Sequence, residues 1–432
     1  MGMAAAAHAN GAFPDSQALF APEDQPGRLL LTTNFGVVVT QDEGQTWNIM
    51  CEVATCGVQG CNAFLYQMGP APDHRLLSVS YTGLSFSDDN GCGWQFTDGG
   101  LGQANVQDAV VDPTDGAHVL VIARPFSTDG GLMPEGIFES HTGGLTFAPV
   151  PLYSAPPNAF ITGVEVARSQ PATYYATMFI SQPTYRPFVL RSDDQGVTWV
   201  SNELTASIGA DQLLLMAVDP QDATKSYLRL IDGLGSEALA LATDGGAQAS
   251  VSLSLDAGAF LSAFLRREDG SLVACQRGFN GGSPGCFRST DNGGTFSSFL
   301  PAFHIRALAE RDGGLYLAGD NYNDGFAVGA LQPDGGVEPL LHFNGICGLV
   351  QCGNIPTLCA PWWVTQQNIL AIPPSVCGHS APDAGPAPDG GGPTPPPSKK
   401  GCGCATGAPS ALALLGLLLL SAHTRGRKAT LP

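Results

Sequence analysis

Thr40-Gln-Asp-Glu-Gly-Gln-Thr-Trp47, Ser192-Asp-Asp-Gln-Gly-Val-Thr-Trp199 and Ser289-Thr-Asp-Asn-Gly-Gly-Thr-Phe296 are three intact copies of one pattern, Ser/Thr-x-Asp-x-Gly-x-Thr-Trp/Phe. Ser87 to Trp94 and Ser140 to Phe147 each carry one core substitution, and worn copies run from Ala242 to Ala249 and from Gln332 to Pro339. The third position falls at residues 42, 89, 142, 194, 244, 291 and 334, so successive copies lie 47, 53, 52, 50, 47 and 43 residues apart. A period of that size marks a repeat architecture.

The residue types predict that each copy is a tight turn between two strands. A short carboxylate accepts hydrogen bonds from amides of its own turn, and the Gly at the fifth position takes a positive φ without a steric penalty. The closing aromatic opens the outgoing strand and can wedge between neighbouring sheets; Trp47, Trp94 and Trp199 all occupy it. Upstream of each turn the chain carries three more short strands. In the third unit these are expected at 106–112, ending before Pro113, at 118–123 and at 136–140, with the fourth at 145–150. The fifth unit repeats the order at 213–219, 226–231, 237–243 and 248–255, and residues 17–22 fill the first slot of unit one. Four antiparallel strands repeated seven times predict an all-β fold, a seven-bladed β-propeller.

On these residues the motif resembles the Asp-box, or bacterial neuraminidase repeat, of sialidases, the sortilin ectodomain, xyloglucan-degrading glycosidases and photosystem II assembly factors. The resemblance covers roughly residues 16–343. It implies that the box lies on the turn between third and fourth strands, at the blade periphery and away from the ligand face. Asp42, Asp89, Asp194 and Asp291 are accordingly expected to be structural, like the three box tryptophans. Sialidase chemistry in the family relies on an arginine triad, and the Phe/Tyr-Arg-Ile-Pro segment that supplies its first arginine is absent here, so sialidase activity is not expected.

The 55 Gly and 33 Pro among 432 residues, with only 13% charged, suit many short strands joined by turns. Residues 378–432 hold two acids and five bases, which leaves 36 of the 38 acids and 14 of the 19 bases in the first 377 residues, a net of −22. Such a body repels nucleic acid, which binds through Lys and Arg on phosphates. An acidic, solvated surface suits an exported protein.

The sequence divides into residues 1–10, a propeller over 11–345, a Cys-rich closing segment over 346–378, a disordered Pro/Gly linker over 379–400 and a tail over 401–432. The tail combines Cys402 and Cys404 with an apolar helical run of about 15 residues from Ala408 to Ala422 and a basic end at Arg425, Arg427 and Lys428. That run is shorter than the roughly 20 residues of a comfortable membrane span. The three parts resemble the myxobacterial C-terminal sorting tail, which implies export, cleavage near the Cys pair by a sorting protease, and anchoring at the cell surface or outer membrane. The alternative is an ordinary tail anchor in the membrane. Ala7-His8-Ala9 fits the small-x-small pattern before a signal-peptidase cut, so residues 1–10 are expected to be the end of a signal peptide that begins upstream; an Ala-rich N-terminus is the other reading.

Ten cysteines precede the tail in even groups: Cys51, Cys56, Cys61 and Cys92; Cys275 and Cys286; Cys347, Cys352, Cys359 and Cys377. Even groups in an exported chain predict disulfides within each group, with Cys275–Cys286 stapling a loop of blade six and three connectivities open in each group of four. The last group, with Trp362 and Trp363, is expected to form a small knot that helps close the ring. No paired Cys-x-x-Cys and no His-x-x-x-His spacing occurs, so neither a metal site nor a cofactor is expected.

Ligands are expected on the face built from loops joining second to third strands. Phe126, Tyr185, Arg186, Arg277, Phe279, Asn280, Tyr322 and Asn323 supply aromatics and short polar groups there, a mixture that suits carbohydrate or peptide. Asp129, Glu135, Asp320 and Asp324 are the loop carboxylates available to a glycosidase, which needs two suitably spaced acids. The function expected is a binding or adhesion module for an extracellular polysaccharide or protein. The alternatives are a glycoside hydrolase and an assembly factor for envelope proteins.

Overall fold

Every repeat folds into four consecutive antiparallel strands, giving seven blades. The structure, a computed structural model, describes residues 14–57, 63–80, 83–97, 101, 104–125, 135–151, 158–278, 283–374 and 377. The N-terminal segment, the linker and the tail, with Cys402 and Cys404, lie outside the described residues, as do Cys61, Phe126, Asp129, Phe279 and Asn280. First strands of blades one to five contact one another in succession, that of blade six meets blade seven's, and blade seven's returns to blade one's. They form the inner wall of the ring and are Ser16–Phe20, Ala63–Met68, Asn105–Asp112, Ala159–Val166, Gln212–Val218, Ala259–Arg266 and Ala307–Arg311.

The repeated turn owes its shape to side chains bonding their own backbone. The Thr40 hydroxyl donates to Asp42 Oδ1 at 2.7 Å and accepts the Gly44 N–H at 3.0 Å. Asp42 in turn accepts the Thr46 N–H at 2.8 Å and the Thr46 hydroxyl at 2.7 Å. The same four bonds recur around Asp194 and around Asp291. At Asp89 the Thr is replaced, and the Gly93 N–H alone closes the turn on the carboxylate at 2.7 Å. In blade three Thr142 stands where the Asp would be, and its hydroxyl accepts the Thr146 N–H at 3.0 Å. Gly44, Gly196 and Gly293 have φ of +91°, +81° and +87°. Glu43, Gln195 and Asn292 just before them are also left-handed, at 59°, 57° and 57°, a conformation that only the Asn takes readily.

These bonds carry a pH signature. The Thr295 N–H and hydroxyl hold Asp291 down to about 2. The Thr198 hydroxyl and N–H lower Asp194, and at Asp42 partial burial works upward but the bonds from Thr46 outweigh it. A carboxylate depressed in the fold adds stability that is complete above its unfolded value of about 4 and disappears as pH falls through the folded value. The chain is therefore expected to lose stability between about pH 4 and 2. Asp291→Asn should flatten part of that slope in denaturant melts taken across the window, whereas an unchanged slope would show that the turn does not hold its charge.

Two of the outer turns also lock onto the preceding blade through their tryptophans. The Trp47 ring is 2% exposed, and its Nε1 donates to Gly44 O at 3.0 Å and to Leu340 O of blade seven at 2.9 Å. Trp199 does the same with Gly196 O at 2.9 Å and Pro151 O of blade three at 3.1 Å. At the inner wall, hydroxyls and amides at strand bulges join blades. Gln17 Nε2 donates to Ala63 O, the Thr162 hydroxyl to Leu213 O and the Ser262 hydroxyl to Ile305 O.

Blades one and seven are each complete, so the ring is not closed by a blade shared between the two ends of the chain. Instead a short strand, Gly348–Leu349, adds to blade one parallel to Asn48–Cys51, and a helix, Ile355–Ile369, follows it. Disulfides Cys51–Cys359 and Cys92–Cys352 tie this segment to blades one and two, and Cys347–Cys377 closes it on itself. The expected pairing within each group of four holds for Cys347–Cys377 and is corrected for the other two bridges, which run between the groups because the helix returns to the start of the ring. The expected knot is a strand and a helix. The fourth strand of blade three is also shorter than expected, Ala148–Pro149, and it ends at the proline, which has no N–H for the ladder.

Candidate functional site: the loop face

Loops from second to third strands and connections between blades lie together at one end of the ring. On blades three and four the last residue of a second strand, Arg124, pairs with Glu135 at 3.0 Å. Glu135 is only 3% exposed, and its other oxygen accepts the Ile161 N–H of the next blade at 2.5 Å. Burial raises the pKa of Glu135 against the pull of Ile161 and Arg124. The Arg124 guanidinium sits over Phe160 at 5.8 Å, Phe160 stacks on Phe179 at 5.1 Å, and Phe179 meets Tyr185 at 5.9 Å. Tyr185 closes this row with 42% of its surface exposed. Beside it Arg186 pairs with Glu203 at 3.3 Å and covers Phe188.

Blades five and six repeat the device. Arg229 grips Glu237 through two bonds of 2.5 and 2.7 Å, and Glu237 accepts the Leu261 N–H at 2.8 Å. The parallel is visible in the chain, where Ala159-Phe160-Ile161 matches Ala259-Phe260-Leu261. Arg277 lies over Phe260 at 4.4 Å. Burial lowers the Arg277 pKa, Arg306 adds to the effect, and Asp15, 3.7 Å away, opposes it.

At the junction of blades seven and one, Arg306 donates to Asp15 at 2.9 Å and to Asp320 at 2.9 Å. Asp320 also accepts the N–H groups of Tyr322 and Asn323 and the Asn323 side-chain amide. Partial burial works to raise the Asp320 pKa, but these bonds from Asn323 and Tyr322 and the Arg306 charge bring it down. Asp324 is 1% exposed and takes the N–H of Asp320, the N–H of His304 and its Nδ1 at 2.9 Å each. Tyr322 projects from this loop, 48% exposed.

The described loop carboxylates therefore occupy positions that hold loops and blades in place, each accepting at least one backbone N–H. Tyr185, Arg186, Arg277 and Tyr322 share the loop face, while the exposed Asn323 spends its side-chain amide on Asp320. Cys275 and Cys286 are joined, facing each other across the second and third strands of blade six.

Two acids that loop-based reading passed over stand on the inner strands. Asp108, on blade three, accepts the N–H groups of Ala109 at 2.9 Å and of Val164, on blade four, at 3.1 Å. Burial pushes it up to about 7 against those two bonds. Burial also pushes Glu165 up to about 8, with the Asp108 charge adding to it. The signal available in the chain was an acidic residue inside each of two first strands rich in Val, Val106 to Val111 and Ile161 to Val166.

No family model and no curated protein sequence matches the chain. Among solved structures it is similar to the GH74 xyloglucanase of Xanthomonas campestris, with TM-score 0.56 and 16% identity over 76% of this chain and 54% of that one. A puromycin-hydrolyzing peptidase of Mycobacterium tuberculosis gives 0.52 and 12%, over 80% of this chain and 55% of that one. YCF48 from Cyanidioschyzon merolae gives 0.48 and 13%, over 72% and 94%. The chain thus spans little more than half the length of the xyloglucanase and the peptidase, and at these identities the likeness shows the propeller fold alone.

Proposed function

We propose that the chain is an exported Asp-box propeller, held at the cell surface through its C-terminal tail after a sorting protease acts near Cys402 and Cys404, that binds an extracellular polysaccharide or protein on its loop face. One observation carries this reading. On that face Glu135, Asp320 and Asp324 are engaged by arginine, histidine and backbone N–H groups, whereas Tyr185 and Tyr322 present large exposed rings. Flat rings on the same face as Arg186 and Arg277 suit stacking on sugar or peptide, with the cations fixing orientation. A panel of envelope and plant polysaccharides and surface proteins tests it. Tyr185→Ala with Tyr322→Ala should weaken retention of the full chain at least about tenfold, in line with loss of interface anchors, at an unchanged melting temperature. Retention that survives both changes would place the ligand elsewhere.

Asp108 and Glu165 favour a second reading, a glycoside hydrolase. The two acids stand on adjacent inner strands and burial raises both, so Glu165, the higher of the two, would be the proton donor and Asp108 the group that ionises first. Xyloglucan is the substrate class to try first, given the fold shared with a xyloglucanase.

A further inference from the structure

The second and third strands of blade three, Asp115–Arg124 and Gly136–Ser140, pair with Val119 opposite Ser140. One step beyond that register His118 faces His141, and Glu139, two residues before His141, lies on the same side of the sheet. The side chains meet there. His118 Nε2 is 2.8 Å from Glu139 Oε1, His141 Nε2 is 3.5 Å from Glu139 Oε2, and one ligand atom from each residue lies within 4.8 Å of the other two. His118 is buried, and its Nδ1 bonds at 2.9 Å to Oδ2 of the buried Asp112. That bond fixes Nδ1–H as the inward donor and leaves Nε2 as the nitrogen facing the other two groups. Tyr174 of blade four donates to Glu139 Oε1 at 2.7 Å, which sets the carboxylate. The His141 ring stacks on His118 but is 69% exposed, so it has room to turn its nitrogen inward.

We propose that His118, Glu139 and His141 form a binding site for a divalent transition cation, Zn(II) in the first instance, with solvent completing the coordination. Two imidazoles and one carboxylate are a donor set for zinc, nickel or copper, whereas calcium and magnesium call for oxygen alone. Asp112 is a positioning residue, orienting a ligating histidine through its far nitrogen. On binding, the cation takes the place of the proton between His118 and Glu139, and that proton leaves to solvent. The site lies at the outer turn of blade three, where the repeated motif has Thr142 in place of its carboxylate. It stands at the end of the blade away from the loop face, so it is independent of the ligand proposed there. Spacing rules for metal motifs miss it because its ligands come from two paired strands, 21 and two residues apart.

The test uses the full oxidised chain, stripped with chelator and titrated with Zn(II) alone by calorimetry, with bound metal counted after desalting. Wild type is expected to hold one more equivalent than His141→Ala and to gain melting temperature with Zn(II) where the variant does not. Because His141 is exposed, that variant should fold as wild type; Glu139→Gln serves as the second ligand variant should it not. Asp112→Asn should weaken binding about 10- to 100-fold. Equal Zn(II) affinity and stoichiometry in wild type and His141→Ala, or no uptake by wild type at roughly 100 μM metal, a level that should register in melting temperature for any site worth the name, would overturn the proposal.

Discussion

Replacing Cys51, Cys92, Cys352 and Cys359 together by Ser is expected to lower stability by more than the roughly 5 kcal/mol that the chain-entropy reading gives a single bridge closing a very long loop, because two bridges are lost. The two bridges span 308 and 260 residues. The physical reason is the way the ring ends. Blades one and seven meet through side-chain bonds such as Arg306 to Asp15 and Ser16 to Gly319 O. The only sheet extension there among the described residues is the two-residue strand Gly348–Leu349. Cross-links that hold the closing segment on blades one and two therefore restrict nearly the whole unfolded chain. Cys275–Cys286 spans 11 residues between strand partners already in register, and its removal should cost about 3 kcal/mol or less. Denaturant midpoints of the oxidised proteins measure the difference. Equal losses from the two changes would contradict the closing role given to the long-range bridges.

Trp47→Ala is expected to cost about 3–5 kcal/mol, the range for truncating a large aromatic in a core. The indole fills the seam between blades one and seven, and its removal leaves the carbonyls of Gly44 and Leu340 without the donor they share. Trp47→Phe should recover the packing but not those bonds, and so fall between wild type and Ala. Trp199→Ala should cost less, because that ring is more exposed. Urea melts of the three variants check the order, and a loss at Trp47 no larger than at Trp199 would show that the first seam is not a point of closure.

Much of the fold was legible because the repeat spells its own period. The third strand of blade three, Gly136–Ser140, and the second and third of blade five, Ser226–Ile231 and Glu237–Thr243, fall where alternation and turn residues put them. The turn chemistry around Asp42, Asp194 and Asp291 was readable too, since each bond joins residues no more than four apart. What the chain hid are contacts across large separations. Disulfide pairing depends on a helix folding back more than 250 residues, and nothing local in Cys51 points to Cys359. The same holds on the loop face. Asp320 and Asp324 look like free acids in a polar loop, and only the fold brings Arg306 and His304 against them. Asp108 and Glu165 were passed over for the reverse reason: they sit in strands and not in loops, and their surroundings are set by neighbouring blades.

The central claim is that the loop face binds without breaking bonds in its ligand. The most direct measurement incubates the full oxidised chain with a polysaccharide panel that includes xyloglucan, and follows retention and new reducing ends in the same samples. The account predicts retention on at least one polymer, lost with Tyr185→Ala and Tyr322→Ala, and no new reducing ends. Reducing ends that accumulate with wild type and vanish in Asp108→Asn or Glu165→Gln, at unchanged melting temperature, would contradict it and make the chain a hydrolase.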